Sequence, residues 1–171
     1  MLVPPSEVPK GGKIRCKPVC RIKRNAEGDF IEHKVRLVAQ GFMQVAGIDY
    51  TDTIAPVAWM EGIRAILHIR AQCGWLLNQF NIKTTFLYED LDEEIYMRQP
   101  KGYEKPGKES HLAKLTKGLY GLKQGRCQWN KKLHMAMTKF GYLQVPIDHC
   151  IYMRTKDRAS FVAIYVNDMV A

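Results

Sequence analysis

An amide and a carboxylate stand at the end of an apolar segment near the carboxyl end of this sequence. The segment FVAIYVNDMVA, residues 161–171, runs through six apolar or aromatic residues directly into Asn167 and Asp168. A run of this kind is typical of a strand that is buried in a sheet. Burial gives no reason for two polar side chains at the tip of such a strand, so the tip is a candidate functional site.

Two basic side chains form a second candidate. In the predicted strand over residues 30–42, Lys34 and Arg36 share one face, because alternate residues of a strand point the same way. The opposite, apolar face consists of Ile31, Val35, Leu37 and Ala39. Two neighbouring cations can clamp a phosphate chain. An ordinary solvent-exposed face is the alternative, and the pattern alone favours it.

Other groups that can bind metals give weaker signals. Asp92, Glu93 and Glu94 are consecutive, and a solvated acidic turn explains them better than a metal cluster does. The five cysteines are irregularly spaced. Cys16 and Cys20 are followed by no second pair at the spacing of a zinc site. We therefore expect reduced thiols.

The composition limits the class of protein. Lys and Arg number 26 against 17 Asp and Glu, for a net charge of +9. This balance favours a polyanionic partner, most often nucleic acid, with a solvated basic surface as the alternative. Residues 1–12 lack the apolar core of a signal peptide, and no apolar stretch is long enough to span a membrane. We expect an intracellular protein, cytoplasmic or nuclear, that is neither secreted nor membrane-bound.

The apolar patterns predict an α+β fold that ends in antiparallel strands. In chain order we expect coil over residues 1–12, a hairpin over 13–42 with its turn at 25–29, a helix over 59–74, a strand beginning in 75–88, a turn-rich connector over 91–109, a helix within 118–142, and strands over 149–154 and 161–166. The buried stripe of the second helix is predicted to be Trp129, Leu133, Ala136, Met137 and Phe140.

Three long motifs occur in order along the chain: QFNIKTTFLYEDLDEEIYMRQPKGY, KGLYGLKQGRCQWNKKL and AIYVNDMVA. They follow KVRLVAQGFMQVAGIDYTDTIAPVA, residues 34–58. Together these segments closely resemble the reverse transcriptase domain of copia-type LTR retrotransposons, over about residues 2–171.

The resemblance implies a right-hand polymerase fold without its thumb. The fingers would comprise mainly residues 13–60 and 98–122, and the palm mainly 61–97 and 123–171, with an antiparallel palm sheet and packing helices. The three residues after Asp168 are expected to be too few for a returning hairpin strand. The implied partners are an RNA or DNA template-primer and deoxynucleoside triphosphates, and the oligomeric state is left open.

The resemblance also implies a metal-dependent reaction. The primer 3′-hydroxyl attacks the α-phosphate, and two Mg²⁺ ions, for which Mn²⁺ can substitute, neutralise the oxygens on which charge develops. Such hard ions prefer carboxylate ligands. The family takes one Asp from a strand and two from a hairpin, at the positions that are Asn81, Asn167 and Asp168 here.

Two of these three acids are amides in this chain, and Cys127 stands where the family has Arg. Only Asp168 keeps its carboxylate, and one electrostatic group in an active site is typically worth about 10²–10³ in rate. We therefore predict little or no polymerase activity, that is, a pseudoenzyme. The alternatives are a weakly active polymerase completed by other chains and a non-catalytic, basic nucleic-acid-binding remnant.

Four further positions match nucleotide-binding residues of the family. Phe86 matches the ring that lies under the sugar and rejects ribonucleotides, and Gln124 matches a residue that contacts the incoming nucleotide. Lys34 and Arg36 match the basic strand of the fingers. Without the resemblance, Phe86 is read as a core aromatic residue.

Overall fold

The computed structural model describes residues 1–9, 13–156 and 159–171, and its secondary structure is mixed α+β, as predicted. The chain forms two compact units, the first made of residues 1–53 and 86–125 and the second of 54–85 and 126–171. The strands are β1 (Leu2–Val3), β2 (Lys13–Ile14), β3 (Cys16–Arg24), β4 (Phe30–Ala39), β5 (Gln79–Asn81), β6 (Tyr96–Arg98), β7 (Leu112–Lys114), β8 (Leu143–Val145), β9 (Asp148–Arg154), β10 (Ser160–Tyr165) and β11 (Asp168–Val170). The helices are α1 (Met60–Cys73) and α2 (Gly125–Lys139), and 3₁₀ turns occupy Pro5–Glu7, Gly41–Met43 and Thr85–Tyr88.

A four-stranded sheet organises the first unit. Its strand order is β1-β7-β6-β2, with β2 parallel to β6 and the other pairs antiparallel. Successive residues of β6 point to opposite faces of the sheet, and both faces are covered. Tyr96 belongs to a buried cluster with Val3, Val8 and Leu112, and Met97 belongs to another with Ile14, Ala39, Ile95 and Leu122.

A long two-stranded ribbon, β3–β4, belongs to the same unit, and it confirms the predicted hairpin. Its turn is closed by the Asn25 side chain, which accepts a hydrogen bond from the Asp29 backbone N–H at 2.7 Å. The predicted apolar face is buried at one end only, because Ala39 is buried whereas Ile31 and Val35 are 56% and 63% exposed. The outer part of an extended ribbon lies away from the core that covers its base.

The second unit is built on an antiparallel sheet of order β5-β11-β10-β9-β8. Helix α1 packs Ile66 against Ile151 and Ala163. The Asp148 carboxylate accepts a hydrogen bond from the Trp59 N–H at 3.0 Å, just before the helix begins. The helix ends at Gly74, which adopts the left-handed conformation (φ 65°). The predicted helix over 59–74 is thus confirmed.

The buried stripe of α2 is confirmed for Trp129, Leu133 and Met137, each at most 7% exposed. It is wrong for Phe140, which is 67% exposed. The helix ends at Lys139, so Phe140 no longer follows the helical spacing that places the other side chains on one face.

Three sequence predictions of irregular structure are corrected. Residues 1–12 are not all coil, because Leu2–Val3 pairs with β7, although residues 10–12 lie outside the described part. The connector over 91–109 contains β6. The residues after the hairpin tip do form a returning strand, β11. Each of these strands has only two or three residues, too few for an alternating pattern, and backbone pairing to distant segments stabilises it.

Candidate functional site

A two-residue turn carries the polar tip of the second unit. Tyr165 pairs with Asp168, which leaves Val166 and Asn167 as the turn between β10 and β11. Strand β11 lies between β10 and β5, so that Asp168 is directly opposite Asn81 on the neighbouring strand. The structure therefore brings together the three positions that the resemblance assigns to metal binding.

The side chains of Asn81 and Asp168 bind each other. The Asn81 amide Nδ2 donates a hydrogen bond to Asp168 Oδ1 at 2.6 Å. Asn81 is exposed, while Asn167 and Asp168 are half-buried. The amide hydrogen thus satisfies one oxygen of the Asp168 carboxyl group within the protein.

Two hydrogen bonds to backbone carbonyls hold the turn. Trp129 Nε1 donates to the Val166 carbonyl at 2.7 Å, and the Ile82 N–H donates to the Asn167 carbonyl at 2.9 Å. Val166 has a positive φ of 58°, which is strained for a β-branched residue. The turn is therefore positioned by α2 and by the residue that follows β5, independently of the side chains of Asn167 and Asp168.

Two of these three side chains bring no negative charge to a divalent metal ion. An amide can offer an oxygen to a cation but brings no charge, and the hydrogen bond from Asn81 occupies an oxygen of the one carboxylate. Within the described part of the chain, no group of three or more His, Cys, Asp or Glu side chains is arranged to hold a metal ion.

In the first unit, an aromatic cluster joins two of the predicted nucleotide-binding residues. The rings of Phe86 and Tyr120 are 5.0 Å apart between centroids and nearly perpendicular, at 89°. The Arg36 guanidinium carbon lies 5.8 Å from the centroid of the same Tyr120 ring. All three residues are half-buried, so each keeps part of its surface accessible.

Gln124 lies in a buried polar network of the first unit and is only 1% exposed. Its Nε2 donates to the Asp49 carbonyl at 2.8 Å and to Glu93 Oε2 at 3.2 Å, and its Oε1 accepts from Gln44 at 2.9 Å. Both amide hydrogens are engaged, so donating a hydrogen bond to a ligand requires one of these bonds to be given up. The role of Gln124 toward a nucleotide stays a prediction.

The acidic run that was predicted to be a solvated turn is exposed at Asp92 and Glu94, but Glu93 and Glu94 also have partners within the protein. Glu93 is half-buried and also accepts hydrogen bonds from the Thr51 N–H and hydroxyl, at 3.2 and 3.1 Å. Glu94 pairs with Lys114 and accepts from the Tyr96 hydroxyl, and these contacts lower the pKa of its carboxyl, with Lys114 making the larger contribution. Local sequence spacing does not reveal Thr51 and Lys114 as partners, because they lie 42 and 20 residues away along the chain.

Lys34 belongs to a cationic face of the ribbon. The register places Arg21 opposite Lys34 and Val19 opposite Arg36, on the same face. The cations of this face are Lys17, Arg21, Lys23, Lys34 and Arg36. Glu32 pairs with Lys23 at 2.6 Å, and the pKa of its carboxyl is lowered mainly by that hydrogen bond and, more weakly, by the charge of Lys34.

The predicted site residues thus fall into two groups. Asn81, Asn167 and Asp168 are in the second unit, and the others, Phe86, Gln124, Lys34 and Arg36, are in the first. Sequence reasoning missed Tyr120 and treated Trp129 as packing alone. Tyr120 stands between two glycines, Gly118 and Gly121, and an aromatic residue bracketed in this way was the available signal.

Comparison with known proteins gives a consistent set of matches. A family model described as reverse transcriptase (RNA-dependent DNA polymerase) matches residues 5–171. The chain is 40% identical over 167 residues to a retrovirus-related Pol polyprotein from transposon TNT 1-94 of Nicotiana tabacum, covering 96% of this chain and 13% of that protein. It is 30% identical over 170 residues to the corresponding polyprotein from transposon RE2 of Arabidopsis thaliana, covering 99% of this chain and 12% of that protein.

More distant matches extend to yeast. A truncated transposon Ty1-A Gag-Pol polyprotein of Saccharomyces cerevisiae is 27% identical over 139 residues, which cover 81% of this chain and 11% of that protein. No solved structure matches the chain significantly. The chain spans about one eighth of the length of the plant relatives (13% and 12%). Neither helix in the described part is long and apolar enough to cross a membrane.

Proposed function

We propose, because this chain belongs to the reverse transcriptase family of copia-type retrotransposon Pol polyproteins, that it is a reverse transcriptase domain segment that no longer catalyses polymerisation. Members of this family act on nucleic-acid templates and generally use divalent metals. We assign the second unit to the palm and the first mainly to the fingers. In this assignment Asn81, Asn167 and Asp168 occupy the metal-binding positions, and Phe86, Gln124, Lys34 and Arg36 form the nucleotide-binding set.

The 2.6 Å hydrogen bond from Asn81 to Asp168 carries the proposal of inactivity. Aspartate at position 81 would repel Asp168 and would draw a cation between the two carboxylates. An amide there instead satisfies Asp168 within the protein, and Asn167 adds no negative charge. Three charges expected at this hairpin are reduced to one, which removes the electrostatic reason for a metal pair to bind.

Primer extension on a homopolymer template tests this proposal. The 171-residue chain is compared with N81D/N167D in Mg²⁺ and in Mn²⁺, and N78D/N130D serves as a control that adds the same charge elsewhere in the second unit. We expect the wild-type chain and the control to incorporate at least about 100-fold less than N81D/N167D, because active-site electrostatic groups are worth roughly 10²–10³ in rate. Incorporation by the wild-type chain at the level of N81D/N167D would refute the proposal.

The cationic face of the ribbon supports a second candidate, nucleic-acid binding without catalysis. Five cations share this face with a single carboxylate, Glu32, which is already paired. Backbone phosphates attract such a face without regard to sequence. If all five cations contact phosphates of a duplex, the logarithm of the binding constant should fall with the logarithm of salt concentration with a slope of about −4.5.

A salt titration with matched charge reversals tests this second candidate. K17E/R21E reverses two cations of the ribbon face, and K101E/K108E reverses two exposed lysines elsewhere in the first unit. We expect the ribbon variant to bind duplex more weakly and with a shallower salt slope than the control variant. Equal binding by both variants, or no binding by the wild-type chain at low salt, would rule out the ribbon as the nucleic-acid surface.

A further inference from the structure

Tyr120 contacts two residues that are 50 positions apart in the sequence, and both belong to the proposed nucleotide-binding set (Arg36 and Phe86). We propose that Tyr120 is a positioning residue that holds the Phe86 ring and the Arg36 guanidinium in one arrangement, and that selectivity between deoxyribonucleotides and ribonucleotides depends on it. This inference rests on the proposed function, because it takes Phe86 to lie under the sugar and Arg36 to bind phosphates.

The backbone fixes Tyr120 relative to the strand that carries Arg36. The Ala39 N–H at the end of β4 donates to the Tyr120 carbonyl at 2.7 Å. At Gly121, a Cβ atom would lie 2.2 Å from the Ala39 carbonyl oxygen, so the two segments approach more closely than any other residue type permits. Tyr120 therefore cannot move away from β4 without breaking the end of that strand.

The segment over residues 118–125, which contains Tyr120, also packs against Phe86. A Cβ atom at Gly118 would lie 2.4 Å from the Phe86 carbonyl oxygen, and one at Gly125 would lie 3.4 Å from its ring carbon Cδ1. The backbone of Phe86 is thus close to Gly118, while its ring contacts Tyr120 edge to face. A ring that must reject one extra hydroxyl group has to be held to within about the size of one atom, and a fixed aromatic neighbour provides that restraint.

The interaction free energies of the two Tyr120 contacts are large enough to measure. An edge-to-face aromatic pair adds an interaction free energy to that of buried area, and the addition changes an equilibrium constant by roughly 2- to 12-fold. A cation–π contact at a partly exposed position corresponds to about 2- to 5-fold. Loss of the Tyr120 ring should therefore change sugar selectivity and phosphate affinity together, although this side chain is proposed to touch neither the sugar nor the phosphates.

Equilibrium dialysis of the full chain with dATP, ATP and inorganic tripolyphosphate tests this inference. Y120F keeps the ring, Y120L removes it, and Y103L makes the same change at a tyrosine of the first unit that is 81% exposed. We expect Y120L to lower the ratio of dATP to ATP affinity by about 2- to 12-fold and tripolyphosphate affinity by about 2- to 5-fold. Y120F and Y103L should stay within about 2-fold of the wild-type chain in both measurements.

A double-mutant cycle shows whether Tyr120 acts through Phe86. In the F86L background, Y120L should no longer change the ratio of dATP to ATP affinity, since the ring that it positions is absent. A merely structural role would lower both nucleotide affinities equally, with the ratio unchanged, and that result would overturn the inference. An undiminished effect of Y120L on the ratio in the F86L background would also overturn it.

The controls separate this inference from the proposed function. If the wild-type chain binds neither nucleotide, or binds dATP and ATP equally, the assignment of Phe86 and Arg36 to nucleotide binding fails, and the inference fails with it. If the wild-type chain prefers dATP to ATP and F86L abolishes that preference while Y120L does not, the assignment of Phe86 to nucleotide binding stands. Only the proposed role of Tyr120 is then wrong.

Discussion

The hairpin tip of the second unit and the aromatic cluster of the first unit are held by different kinds of interaction. At the tip, backbone pairing and two hydrogen bonds to turn carbonyls place Asn81 and Asp168 opposite each other. In the cluster, the backbone around Tyr120 is fixed against β4 and Phe86, but the side chains of Phe86, Tyr120 and Arg36 are placed by contact with one another.

This difference decides what substitution does in each region. Asparagine and aspartate have nearly the same shape, so exchanging them at a tip fixed by its backbone changes the charge and leaves the geometry intact. A cluster whose side chains are placed by contact with one another loses that arrangement when a ring is replaced, even though its backbone stays in position. The tip is therefore the region in which chemistry can be lost without loss of structure.

The largest expected effect is that of Gly121→Ala, which disrupts the backbone beneath the cluster. The new Cβ would lie 2.2 Å from the Ala39 carbonyl, at a φ of +92°. We expect the free energy of unfolding to fall by about 3 kcal/mol or more, since overpacking and left-handed strain add. Gly28→Ala is the control, because it has the same φ of +92° but no neighbouring atom within 4 Å. Urea unfolding showing equal losses for the two variants would mean that the approach of residue 121 to β4 does not restrain the cluster.

A smaller effect is expected at the tip from Asn81→Asp. This change removes the hydrogen-bond donor to Asp168 and places two carboxylates side by side, which should cost about 1–2 kcal/mol at pH 7. Repulsion raises the pKa of the pair in the folded state, so the loss should diminish below pH 5 as one carboxylate takes up a proton. Urea unfolding relative to the wild-type chain at each pH measures this.

Asp168→Asn is the matched control at the tip, since it removes the charge and keeps a carbonyl oxygen that can accept from Asn81. Its stability relative to the wild-type chain should vary less with pH than that of Asn81→Asp. A pH-independent loss in Asn81→Asp would show that the two side chains do not interact electrostatically, contrary to the 2.6 Å contact.

Trp129→Phe should reduce stability by about 1 kcal/mol, because it removes the indole hydrogen bond to the Val166 carbonyl. Val166→Gly should instead raise the free energy of unfolding by up to about 1 kcal/mol, because glycine relieves the strain at φ 58°. Trp59→Phe, at a side chain that is 60% exposed, serves as the control. If Val166→Gly is more destabilising than Trp129→Phe, the turn is not strained as the backbone indicates.

The last effect appears only at high pH and concerns the buried thiol of Cys150, in strand β9 of the second unit's sheet. Burial, and to a lesser extent the charge of Asp148, raise the pKa of Cys150 from 9.0 to about 11. The contribution of the Cys150 thiol to the free energy of unfolding should be fully present below pH 9 and should decline as the pH rises toward 11. At pH 8, alkylation followed by mass spectrometry should show Cys150 reacting about 100-fold more slowly than the exposed Cys20 and Cys73. Equal rates would contradict this burial.

The sequence predicted the long periodic elements and the short strand β5, and it missed the short strands β1, β6 and β11. Helix α1 and strands β9 and β10 have enough residues to show a pattern, and their positions agree with the predictions. Strand β6 contributes side chains to a buried cluster on each face of its sheet. Because it has only three residues, its sequence predicts a connector. A strand that short is defined by its partners rather than by its own residues.

Residue types alone fixed the charge of the tip: with asparagine at 81 and 167, only one carboxylate remains, whatever the fold. The order of the motifs likewise determined the family. Tertiary structure decided that Asn81 donates to Asp168, that Trp129 holds the strained turn, and that Tyr120 joins Arg36 to Phe86. These pairings link segments between 34 and 87 residues apart, and no local pattern encodes them, because they form only when distant strands and loops are brought together.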